Sequence, residues 1–240
     1  MPLCRNPAFI FIHIPKCAGT SVTTALTRAG CVWDFNGPAP LDVRLDFNVM
    51  WLHHAPARQL RAMVSATEWK TALKFTVIRN PWDRLVSLFH FRKSRAPVYQ
   101  PPLWNLDSVR TLVARPHHWH QFLMGFRRTS FAQKLATAVY PGENFEQWLL
   151  RQMESKFARV FSCSHYICDL RGRILLDEVI RQESLRSEFD GICRKLSIKA
   201  VLPYCNTSER VNYRAYYTTY LRDLVRERFA EDIQRFDFTF

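Results

Sequence analysis

An apolar run, AFIFIHI from Ala8 to Ile14, stops abruptly at Pro15 and Lys16. Its continuity predicts a buried strand, and the residues from Ser21 to Arg28 read as the first turns of a helix. A second buried strand, Lys74 to Ile78, runs into RNPWDR. There Pro81 suits the first helical position with Asn80 as its N-cap, and Leu85, Val86, Leu88 and Phe89 carry that helix on. From Phe91 to Arg128 the pattern breaks at Pro97, Pro101, Pro102 and Pro116. Regularity returns at Asn144 to Met153 and in a hairpin through CDLRGRILLD, with Gly172 in its turn. Leu185, Phe189, Ile192, Cys193 and Leu196 form one helical face, and Tyr217, Leu221, Leu224, Val225, Phe229, Ile233 and Phe236 another.

Strands alternating with helices predict an α/β domain, a P-loop-like central, mainly parallel sheet flanked by helices. Ligands of such sheets bind beyond the carboxyl ends of the strands, where both polar turns fall. The 240 residues read as one domain, 1–240, with about 91–142 as an inserted basic lobe of helix and loop.

Composition narrows the class. The chain is 48% hydrophobic and 23% charged, the balance of a globular protein. No apolar run nears the roughly 18 residues needed to span a bilayer, and the start has no secretory-signal pattern. A cytoplasmic protein is therefore expected. The seven cysteines show no C-x-x-C and no zinc spacing, so buried, reduced thiols are expected. The net charge of +13 favours an anionic partner such as nucleic acid, a membrane surface, a phosphorylated cofactor or an acidic glycan. Between 91 and 130, seven lysines and arginines stand against Asp107 alone.

The first turn, P-K-C-A-G-T-S, has the chemistry of a phosphate cradle. Gly19 lets backbone approach a ligand, the amides around Ala18 to Ser21 point from a helix start, and Lys16 adds a mobile charge. In a Walker loop the lysine follows the second glycine, whereas Lys16 precedes the only one here. With no Walker-B-like aspartate strand after it, a magnesium-dependent NTPase is disfavoured. In the second turn, Arg79 closes a strand and Ser87 lies two helical turns on, so the pair could hold a second phosphate. The competing reading is an ion network of Arg79, Asp83 and Arg84.

Together, HIPKCAGTS and RNPWDRLVS resemble the two nucleotide-binding signatures of the membrane-type and bacterial carbohydrate sulfotransferases. LLDEVIRQESLRSEFDGICRKLSI, NTSERVNYRAYY and LVRERFAEDIQRFDF extend the resemblance over most of the chain, weakest from about 91 to 142. It implies 3′-phosphoadenosine 5′-phosphosulfate (PAPS) as sulfate donor, without a metal. Lys16, Cys17, Ala18, Gly19, Thr20 and Ser21 would hold the 5′-phosphosulfate, and Arg79 with Ser87 the 3′-phosphate. Arg210 and Arg214 fall in a segment that closes near the nucleotide in relatives. Lys16 would stabilise the leaving oxygen of an in-line transfer. His54, with His53 close behind, is the expected base; His13 reads as a packed support, and His117, His118 and His120 as acceptor contacts. Glu183 matches a family glutamate, and Trp82 fits either the adenine or the core.

The acceptor implied is a carbohydrate or glycoconjugate, with the basic lobe on the acceptor side, and the resemblance implies a cytoplasmic bacterial protein, with a truncated Golgi-type one as the alternative. Peripheral membrane contact is compatible with the charge. A small alcohol or phenol is the alternative acceptor. Outside the enzymes, a nucleotide-binding protein without catalysis or a nucleic-acid-binding protein remains, though no nucleic-acid-binding signature is visible.

Overall fold

The computed structural model describes residues 3–34, 54–94, 139–140, 142–154, 162–203 and 211–240. Among them lies one five-stranded sheet of order β3-β1-β2-β4-β5, built from β1 (Leu3–Arg5), β2 (Ala8–Ile12), β3 (Trp33–Asp34), β4 (Leu73–Ile78) and β5 (Glu178–Arg181). β2, β4 and β5 run parallel, in the register Phe11 to Phe75 and Val77 to Ile180. β1 turns back antiparallel on β2, and β3 antiparallel on β1.

Consecutive residues of β2 and β4 are buried, so helices and loops cover both faces of the central strands. The α/β expectation holds, and both strands extend close to where the apolar runs placed them. The short antiparallel edge, β1 and β3, carries no pattern long enough to predict. Lys74 is buried on β4 because its ammonium is held by Asp177 at 2.8 Å and the Ala72 carbonyl at 2.8 Å.

The described helices are α1 (Gly19–Arg28), α2 (Ala57–Met63), α3 (Ala66–Thr71), α4 (Pro81–Lys93), α5 (Phe145–Glu154), α6 (Cys163–Ile167), α7 (Leu185–Lys195), α8 (Thr219–Arg228) and α9 (Ala230–Phe236), with a 3₁₀ turn at Tyr213–Tyr216. The C-terminal apolar face is one face on two helices, because the backbone breaks at Phe229 (φ −110°, ψ 24°). The expected hairpin is a tight turn closed by a Cys168–Ile174 bridge, with Gly172 at φ 77°. Most of the 91–142 lobe lies outside the described residues. Among the described residues no helix is long and apolar enough to cross a membrane. The six cysteines they include are free and buried.

Candidate active site

β2 and β4 are parallel neighbours, so their carboxyl ends deliver both polar turns to one edge of the sheet. In the first turn Lys16 (φ 66°) and Ala18 (φ 55°) are left-handed. That conformation costs a non-glycine residue about 1–2 kcal/mol. Two arginines hold the loop there: Arg79 Nη1 donates to the Lys16 carbonyl at 2.9 Å, and Arg84 Nε to the Pro15 carbonyl at 2.9 Å. The Cys17 side chain is buried.

With those carbonyls taken by the arginines, no protein acceptor takes the amide hydrogens of Ala18, Gly19 or Thr20 among the described residues. No side chain caps α1 and no acid stands in its first turn. Its positive end is thus uncompensated, the arrangement that receives a phosphate or another anion. Thr20 is exposed at its rim, whereas Ser21 is buried.

The start of α4 is the opposite case. Asn80 Oδ1 accepts from the Trp82 amide at 3.1 Å, and Glu183 Oε1 accepts from the Asn80 amide at 3.1 Å. What this turn offers is side chains. The Arg79 guanidinium pairs with Asp83 at 2.7 Å and, with Lys16 also served, keeps two of its five N–H donors for another acceptor. Asp83, Ser87 and Phe91 follow at four-residue steps, one stripe of α4. That stripe faces the loop: Arg79 reaches Lys16 at one end, and Lys16 Nζ lies 4.1 Å from the Phe91 ring centroid at the other. The half-buried Ser87 sits between them, its hydroxyl without a partner among the described residues. Of the predicted ion network, Arg79 pairs with Asp83, and Arg84 donates to the Pro15 carbonyl.

His54 lies just before α2, where buried Ala55, Ala57 and Leu60 anchor the chain. Its Nδ1 is 2.8 Å from the His13 carbonyl oxygen. A carbonyl only accepts, so Nδ1 carries the hydrogen and the lone pair of the neutral ring is on Nε2. The rings of His13 and His54 meet edge to face at 4.5 Å. His13 is the first residue beyond β2, which is why its carbonyl is available outside the sheet ladder.

Other expected residues have partners of their own. Trp82 is core: it is 1% exposed, and its indole donates to the Arg222 carbonyl at 3.0 Å. Glu183 supports the α4 start, and Arg214 donates to the Phe240 carbonyl at 2.8 Å. His53, His117, His118, His120 and Arg210 lie outside the described residues.

The profile of the sulfotransferase family matches residues 3–239, a span that contains both turns, His54 and the C-terminal helices. The chain belongs to this family. Comparisons with curated proteins and with solved structures returned no match.

This sulfotransferase also places a thiol pair under its loop. Burial pushes the Cys17 thiol up, but a hydrogen bond from Cys163 and the positive fields of Arg84 and Arg79 outweigh it and leave Cys17 below the ordinary thiol value. The same hydrogen bond, with burial, raises Cys163 well above it. Arg84 Nη1 is 3.8 Å from Cys163 Sγ, so this buried guanidinium ties loop, α4 and α6 together. Asp232 fixes the other side, accepting from the amides of Cys163 and Ser164. Sequence reasoning assigned no role to Cys163 and gave Arg84 only the ion network; a partner 79 positions away leaves no local pattern. Among the described residues no cluster of three or more His, Cys, Asp or Glu could hold a metal ion.

Proposed function

We propose that the chain moves the sulfuryl group of PAPS to a hydroxyl of a carbohydrate or glycoconjugate by in-line transfer. The observation that carries the donor assignment is the uncapped start of α1, with the amides of Ala18, Gly19 and Thr20 unused and no acid to repel an anion. Those amides, with Thr20 at the rim, Ser21 behind it and Cys17 beneath, are the 5′-phosphosulfate cradle. The two remaining Arg79 donors and the Ser87 hydroxyl receive the 3′-phosphate.

His54 Nε2 takes the proton of the acceptor hydroxyl, because Nδ1–H is held by the His13 carbonyl and the ring cannot turn without losing that bond. His53 remains the neighbouring candidate. Lys16 stabilises the oxygen on which negative charge gathers as the sulfuryl group departs. A sulfuryl group carries less charge than a phosphoryl group, so a lysine and backbone amides suffice for it. The carbohydrate acceptor rests on the resemblance of the two motifs and on the chain's positive charge.

Calorimetry with 3′-phosphoadenosine 5′-phosphate (PAP), the spent donor, against ATP tests the cofactor class. PAP should bind at least about tenfold tighter, a difference of roughly 1.4 kcal/mol. Equal affinity, or no PAP binding, overturns the assignment.

A further inference from the structure

We propose that His13 is a positioning residue, its imidazole serving as the spacer that sets how far the base His54 stands from the donor loop. The inference rests on reading His54 as the base and the Ala18–Thr20 amides as the donor cradle. It begins with Gly19. That glycine is not among the positive-φ residues, so backbone conformation does not demand it. Space does: a Cβ built on Gly19 would fall 2.0 Å from His13 Cδ2 and 2.1 Å from Nε2. The close approach that requires glycine here is that of a protein ring.

The ring has nowhere to retreat. His13 is 6% exposed, stacks on Phe11 at 5.7 Å and meets the edge of His54 at 4.5 Å. It is thus wedged between strand, loop and base. The same residue's carbonyl holds His54 Nδ1, so His13 sets both the orientation of the base, through its backbone, and the spacing, through its ring. In-line transfer depends on that spacing, and a misplacement of about 1 Å can cost on the order of 10²-fold in rate.

The test is a double-variant cycle of Gly19→Ala and His13→Ala, read by PAP calorimetry and by ring-nitrogen NMR of histidine-labelled protein. Gly19→Ala alone should weaken PAP by at least about tenfold, because the methyl group must displace the wedged ring. In the double variant the methyl enters the space the ring vacated, and PAP affinity should return to within about threefold of His13→Ala. His13→Ala alone should still bind PAP and keep the Nδ1–H tautomer of His54, because the backbone carbonyl remains, but free the His54 ring from its set position, so that its ring-nitrogen signals shift or broaden and kcat for transfer falls about tenfold or more with PAP affinity kept. His13→Leu, which refills most of the buried volume, carries the same expectation should His13→Ala not fold. Additive losses in the double variant, or an unchanged His54 spectrum in the His13 variants, overturn the proposal while leaving the donor site standing. A wild-type protein that binds no PAP overturns the donor site and this proposal together.

Discussion

Lys16 combines a strained backbone with an ammonium set against an aromatic ring. The strain is held by arginines whose donors would otherwise face solvent or ligand, so loop shape and the second turn are one mechanical unit. The ammonium meanwhile sits against the Phe91 ring, an attraction of about 0.5–2 kcal/mol that keeps it near the cradle and is weak enough to be given up. Lys16→Ala should therefore lower PAPS-dependent transfer of labelled sulfate by about 10²–10³-fold, the usual loss when one stabiliser of developing negative charge is removed. PAP affinity should fall less, since the amides remain. Turnover at the wild-type rate would remove Lys16 from the chemistry.

Helices differ in how their ends are satisfied, and here that difference separates function from support. α1 is left open at its start, whereas α4 is closed by Asn80 and Glu183, and α6 by Ser162 and Asp232. α6 carries a further consequence. His165 is pressed between solvent and the α2 face, with Arg58 donating to its carbonyl at 3.1 Å. Burial first, then the Arg58 and Arg84 cations, push its imidazole below the ordinary value of 6.5. The unfolded chain then takes up the proton before the folded one does, so stability is fully present above pH 6.5 and declines as pH falls through and below that value. His165→Gln should flatten the decline in melting temperature between about pH 7 and pH 5 relative to wild type; an unchanged slope would show that His165 does not carry it. Much of this element-level picture was legible beforehand. β2, β4, α1 and the Asn80-Pro81 start of α4 follow from local pattern and cap chemistry. The contacts that make them a site do not. Arg84 to Pro15, His54 to the His13 carbonyl and the His13 ring over Gly19 join residues through folded space, and the second demand on Gly19, room for a ring, leaves no mark in the local sequence.

At the scale of the whole molecule, parallel pairing of β2 and β4 places the cradle, Arg79 and Lys16 on one edge, in a chain of net charge +13. That excess has two separable effects. Charges inside the site, such as Arg79 with 11% of its side chain exposed, are poorly reached by mobile ions. Charges spread over the surface are screened within a Debye length of about 8 Å at physiological salt. A long anionic glycan would feel the second set, and a small neutral alcohol would not. For transfer from PAPS to an anionic oligosaccharide, KM for the acceptor should therefore rise several-fold between about 0.05 and 0.3 M salt, with kcat little changed. PAP affinity, measured over the same range, gives the donor's own share of the effect, and the acceptor's rise should exceed it. A neutral saccharide of equal length should show a flat KM. If the anionic acceptor is equally flat, the positive charge is not spent on the acceptor, and the small-alcohol alternative takes its place.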